Sequence, residues 1–245
     1  MIDSDFQFYT FMLVLSIILG ICAQIYIASK NGFYLKELIL YLIFELIGVW
    51  LGAKFFTYIF INPNHINFLD VGLNSSGALF GAIIIIILYS IIFHKNCILC
   101  LSIFIYAAPL IYSIGKIGCF IVGCCEGFVY NGIGNVSYNY VPNPTGLSYF
   151  PIQIIESITF LIAFCYIISR FNKETKETYL LGKCFIICGT LKFILDCFRL
   201  EHVGKIITKN QLFSLIMIAI GIIISLYNYN QYNKYRVIKN RSRAG

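Results

Sequence analysis

Residues 75–93 read SSGALFGAIIIIILYSIIF. No charged side chain interrupts these 19 residues, and His94-Lys95-Asn96 closes the run. An uninterrupted apolar stretch of about twenty residues is what one α-helical crossing of a bilayer core requires. Runs of the same kind cover roughly 8–28, 37–61, 97–114, 150–169, 179–198 and 211–228. The second of them ends at Asn62-Pro63-Asn64. The expected fold is therefore an all-α integral membrane protein of about seven transmembrane helices, arranged as one polytopic domain over residues 1–245. No internal repeat or linker divides the chain.

Composition agrees with that reading. The chain is 59% hydrophobic and 12% charged, whereas soluble domains have about 45–50% apolar and about 25% charged residues. A net charge of +7 does not indicate nucleic acid, because the basic residues are scattered between apolar runs rather than gathered into one patch. Most of the ten cysteines lie inside apolar runs, where cysteine behaves as a small hydrophobe. No removable signal peptide is expected: Asp3 and Asp5 precede the first run, and no small-residue cleavage site follows it.

Loop charge predicts the orientation. Lys30, Lys36, Lys95, Arg170, Lys173, Lys176 and Lys183 fall on one side, with Lys234, Arg236, Lys239, Arg241 and Arg243 of the tail. That side should be cytoplasmic. The N-terminus is then outside and the C-terminus inside. A segment rich in glycine and cysteine at 115–149, and the 199–210 connection, should face outward.

Six basic residues remain after that count: Lys54, Lys116, Lys192, Arg199, Lys205 and Lys209. Lys205 and Lys209 suit an exposed loop. Lys54, Lys192 and Arg199 lie within or at the ends of apolar runs, where a cation costs about 2.5–3.5 kcal/mol at mid-membrane unless paired or wetted. With Lys116 they suit an anionic lipid headgroup at the outer leaflet; snorkelling to the interface is the plainer account. Gln153 and Glu156 are three apart and share a helix face, as do Lys192, Asp196 and Arg199. These groups fit either a substrate site or an ion-pair network that ties helices together.

The most specific local signal is Gly115-Lys116-Ile117-Gly118-Cys119-Phe120-Ile121-Val122-Gly123-Cys124-Cys125-Glu126-Gly127. Its four glycines should permit close backbone approach and present amides to an anion. Cys119, Cys124 and Cys125 admit three roles: a disulfide, since oxidation is permitted outside, a nucleophile, or plain packing. No metal is expected there, because no histidine adjoins them and a structural zinc takes four ligands. His94, Cys97 and Cys100 show a ligand-like spacing but supply three ligands, so a structural role is expected.

In its ordered motifs the chain resembles the prolipoprotein diacylglyceryl transferases of bacterial membranes. Gly115, Gly118, Phe120 and Gly127 match the signature G-R-I-G-N-F-x-N-x-E-x-x-G. Gly52-Ala53-Lys54 is similar to G-A-R, and Pro151, Gln153 and Glu156 fit H-P-x-Q-x-Y-E. Leu191 to Arg199 is similar to L-R-F-x-x-E-F-x-R. Gln211, Leu212 and Ser214 fit the start of the last helix, and Ser76-Gly77-Ala78-Leu79-Phe80-Gly81 stands where the family has H-G-G-L-x-G. Together these matches cover nearly the whole chain.

The resemblance implies transfer of a diacylglyceryl group from phosphatidylglycerol, or another anionic phospholipid, to a cysteine thiol of a lipoprotein precursor or related peptide. It implies a multi-pass protein of the bacterial cytoplasmic membrane with no cofactor. Lys116, Arg199 and Glu156 become the catalytic candidates. Lys54, Ser76, Gly77, Gly115, Gly118, Gln153, Lys192 and Asp196 become the substrate-binding candidates. Glu126 and Glu201 are further candidates for the base.

The departures are specific. Lysine replaces arginine at 54, 116 and 192, keeping charge without the planar fork. Cys119, Val122 and Cys124 replace two asparagines and a glutamate. Ser76 and Phe150 stand for histidines. A lipid-binding or transport protein without transferase activity, or an enzyme that modifies a dedicated peptide, fits the same departures.

Overall fold

The computed structural model describes residues 2–60, 67–138, 146–173 and 177–244. Asn62-Pro63-Asn64, residues 139–145 of the outward segment, and Lys176 lie outside the described residues, as do the side chains of the basic tail and of Asp3 and Asp5. Seven α-helices are described: α1 Ile2–Lys30, α2 Leu35–Phe60, α3 Ser75–Ile92, α4 Cys97–Val122, α5 Ile152–Phe171, α6 Glu177–Asp196 and α7 Lys209–Ala244. Among the described residues, six are long and apolar enough to cross a membrane; α6, whose side chains are described from Leu180 on, is the other. Its 20 residues would span about 30 Å, yet it carries Lys183, Lys192 and Asp196.

Two boundaries differ from the sequence reading. The helix expected to end near 114 continues to Val122. Glycine is tolerated there because in lipid every backbone amide must be satisfied, and the helix does that internally. Gly123, at φ 74°, supplies the left-handed cap that ends it. The last helix runs on through the tail to Ala244.

Asparagines start α3 and α4. The side chain of Asn74 accepts from the amides of Ser76 and Gly77, and that of Asn96 from the amides of Ile98 and Leu99. α4 is the axis of the bundle and packs on α1, α5, α6 and α3. Its interior face supplies Ile103, Tyr106 and Ala107, all fully buried. The outer faces carry Ile84, Ile91, Ile162 and Ile223 in the open. Such a surface is untenable in water and costs nothing against lipid.

Without a hydrophobic drive between helices in lipid, close approach of small residues holds pairs together. α2 and α3 meet at Gly48, Gly52, Gly77 and Gly81. A Cβ added to Gly52 would lie 2.3 Å from the carbonyl oxygen of Gly77 and 2.6 Å from Cα of Gly81. α6 and α7 repeat the device, with a Cβ on Gly221 falling 2.7 Å from the Gly182 carbonyl. Gly77→Val would drive its Cβ to 2.3 Å from Cβ of Phe56. That change should cost about 3 kcal/mol or more, read as a lowered melting temperature in detergent. Gly72→Ala, whose Cβ meets nothing within 4 Å, should melt like the parent; equal melting of both variants would refute the packing account.

The two ends of the bundle differ in charge. At one, Lys95 pairs with Glu37 at 2.7 Å and Lys30 donates to Asn172 at 3.1 Å, which gathers three basic connections. At the other, residues 126–130 stitch the start of α5 to the end of α6. The Phe128 amide donates to Phe198 O and the Leu200 amide to Glu126 O. The Phe150 amide donates to Phe128 O and the Tyr130 amide to Ser148 O. The rings of Phe128, Phe150 and Phe198 stack above this seam, with centroids 5.3 Å apart for the first pair and 5.8 Å for Phe150 and Phe198.

Candidate active site

The centre of the site is the fully buried carboxylate of Glu156 on α5. Lys116 of α4 reaches its Oε2 at 2.9 Å, and Lys192 of α6 reaches Oε1 at 3.0 Å. Nη2 of Arg199, just past α6, donates to Oε1 at 2.8 Å and Oε2 at 2.9 Å. The hydroxyl of Tyr112 donates to Oε1 at 2.8 Å and accepts from Lys192 at 2.6 Å. Three helices thus converge on one carboxylate, and the seam of residues 126–130 fixes Arg199 in place.

Asp196 lies beside them. Its Oδ1 is 3.4 Å from Nε of Arg199 and 3.9 Å from Nζ of Lys192, and Thr208 donates to its Oδ2. Three buried cations face two buried carboxylates, leaving one positive charge in excess. Such a charge is unfavourable in a low-dielectric interior unless an anion joins it. Nε of Arg199 has no hydrogen-bond partner among the described residues. Arg199 also lines an open cleft of ≈ 380 Å³ with Cys125, Glu126, Leu200 and Glu201.

The structure therefore brings Lys116, Glu156, Lys192, Asp196 and Arg199 together. Gln153, also fully buried, stands one turn away. It donates to the Cys124 carbonyl at 3.0 Å and accepts from Tyr138 at 3.0 Å, which ties the loop after α4 to α5. Lys54 is engaged elsewhere, donating to the carbonyls of Leu69 and Val71. Ser76 donates to Asn210 at 3.0 Å, and Gly77 is buried in the α2–α3 contact.

The expected nest of glycine amides is not present. Gly115 and Gly118 lie inside α4, so their amides serve the helix. Gly118 packs on Tyr9 and Met12, whereas a Cβ on Gly115 would meet nothing within 4 Å. Gly127 is needed for close approach, since a Cβ there would lie 2.3 Å from the Phe150 carbonyl.

All ten cysteines are unbridged. The sulfurs of Cys119, Cys124 and Cys125 nonetheless lie within 4.8 Å of one another. Hydrogen bonds from Cys119 and Cys124, and the charge of Lys116, hold the Cys125 thiol well below the ordinary thiol range. His94, Cys97 and Cys100 form no comparable group among the described residues. Sequence reasoning missed Tyr112 and Thr208. Tyr112 stands four residues before Lys116, on the same helix face, and that spacing was the available signal.

A bundle of long apolar helices with a cationic, buried polar cluster at one end defines a multi-pass membrane protein with an anion-competent site. The particular family follows from comparison. The family model of prolipoprotein diacylglyceryl transferase matches residues 2–227, and the chain belongs to that family. It is 28% identical over 233 residues to a phosphatidylglycerol–prolipoprotein diacylglyceryl transferase of Clostridium tetani, covering 89% of this chain and 92% of that protein. It is 25% identical over 172 residues to phosphatidylglycerol–prolipoprotein diacylglyceryl transferase 2 of Clostridium perfringens, covering 69% of this chain and 64% of the relative.

Proposed function

We propose that the chain transfers the diacylglyceryl group of phosphatidylglycerol to the cysteine thiol of a lipoprotein precursor, at the outer leaflet of the bacterial cytoplasmic membrane. The observation that carries this reading is the surplus positive charge at Lys116, Lys192 and Arg199, held in the protein beside an open cleft. The acceptor sulfur attacks the glycerol carbon that bears the phosphate. A carbon–sulfur bond forms, the carbon–oxygen bond breaks, and glycerol phosphate leaves with the electron pair.

Charge grows on the leaving phosphate in that step. Preorganised cations aimed at it lower the barrier, and each such contact is worth about 3–4 kcal/mol. Lys116 and Arg199 are assigned to the phosphate, with Lys192 in support. Both oxygens of Glu156 are taken by cations and Tyr112, so it serves to position the cations. Glu126 and Glu201 share the cleft with Arg199 and are placed to receive a proton. The outward position of this end is supported by its separation from the basic connections, which favour the cytoplasm. The names of the relatives support both substrates.

The test is a transfer assay with labelled phosphatidylglycerol and a precursor peptide carrying the acceptor cysteine. The purified protein should lipidate the peptide, and Lys116→Ala should lower the rate by about 10²–10³-fold. Labelled lipid that stays bound to the protein, with no lipidated peptide, would replace transfer by a lipid-binding role.

A further inference from the structure

Cys119, Cys124 and Cys125 were brought together by the end of α4. Gly123 turns left-handed, and the Cys124 amide donates back to the Cys119 carbonyl at 3.1 Å, so the chain doubles over its own last turn. Cys125 is itself left-handed, at φ 58°. A non-glycine residue there is held against a local cost of order 1–3 kcal/mol. Gln153 of α5 pins the Cys124 carbonyl from the other side. The backbone of all three thiols is thus fixed by a cap, a turn and a buried amide.

The spacing suits a metal. Thiolates bind zinc at about 2.3 Å in a tetrahedron, which places the sulfurs about 3.8 Å apart. The three sulfurs already lie within 4.8 Å of one another, and small side-chain rotations close the difference. No fourth histidine, cysteine or carboxylate joins the group among the described residues. A structural zinc site is closed by four protein ligands, whereas a catalytic one keeps three and leaves a position open. The sequence reading expects no metal here, on the ground that a closed site takes four ligands; an open site takes three.

We infer that Cys119, Cys124 and Cys125 bind a zinc-class cation whose open position takes the acceptor cysteine's sulfur during transfer. This rests on the transfer reading above. On binding, the acceptor S–H gives its proton to Glu126 or Glu201 in the shared cleft, and the sulfur becomes a metal-held thiolate. That sulfur then forms the carbon–sulfur bond as glycerol phosphate departs, with no change of oxidation state. The cleft wall is common to both halves of the reaction, since Cys125 and Arg199 line it together. The metal holds the sulfur as thiolate, and Glu126 or Glu201 of the same cleft takes up its proton. A free thiol of pKa about 8.5 is only a few per cent thiolate at neutral pH, so a bound one is enriched about thirtyfold.

Cobalt(II) is the probe, added to the full-length reduced protein in detergent. One cobalt per chain should bind, with a thiolate-to-metal charge-transfer band. Cys119→Ser, Cys124→Ser and Cys125→Ser should each weaken the band, and the triple variant should abolish it. Cys165→Ser, on the exposed face of α5, should leave it intact. Adding the cysteine peptide should shift the band; its serine analogue should not. Equal cobalt uptake by the triple variant, or none by the reduced parent, would overturn the site. A shifted band without any transfer would keep the site and remove the transfer reading. Transfer that is unchanged in the triple variant would do the reverse; a loss of tenfold or more is expected.

Discussion

Arg199→Ala should abolish transfer while leaving the protein folded and inserted. Arg199 is the cation that both grips Glu156 through two oxygens and lines the cleft. Losing it removes a guanidinium from the position where leaving-group charge develops, for a rate loss of about 10³-fold. The carboxylate it abandons still has Lys116, Lys192 and Tyr112, so no buried charge is stranded and the bundle should survive. Arg199→Lys should recover part of the rate, because lysine restores charge without the fork. Membrane insertion and melting, measured beside the transfer rate, separate the two effects. Undiminished transfer in Arg199→Ala would remove the phosphate from this end of the bundle altogether.

Glu156→Gln should do the opposite, acting first on the fold. The substitution leaves three buried cations facing a neutral amide, whose NH2 group must point at donors. Breaking a buried charge cluster from one side costs about 3–5 kcal/mol. For a chain of this size, that corresponds to a melting temperature lower by roughly 6–20 °C. Glu156→Asp should fall between, since its carboxylate is retained but drawn back from Lys116 on the neighbouring helix. A parent-like melting curve for Glu156→Gln would mean that the cluster does not hold α4, α5 and α6 together, and that Glu156 has another task.

The amino-acid sequence by itself determined the helical membrane architecture. Runs such as 75–93 have no other economical environment than lipid, and composition alone excludes a soluble core of this length. Helical spacing also placed Gln153 with Glu156, and Lys192 with Asp196 and Arg199, because three- and four-residue intervals share a face whatever the helix packs against. The order of the motifs carried the family.

Only the tertiary structure decided which of those charged faces meet. Lys116, Glu156 and Arg199 come from three separate segments, and no local rule says that α4, α5 and α6 turn them toward one point. It also set Lys54 apart from the cluster by giving it two loop carbonyls, and it placed Gly77 in the α2–α3 contact. Of the stretch 115–127, whose four glycines were expected to present amides, the part up to Val122 is helix, because an apolar environment leaves backbone amides no partner but their own chain. Tyr112 carried one local signal, its four-residue spacing from Lys116; that it meets the buried carboxylate of Glu156 was decided by the packing of α4 on α5. The three thiols follow the same logic: their spacing was legible, but their convergence required the left-handed cap at Gly123 and the hold of Gln153 from another helix.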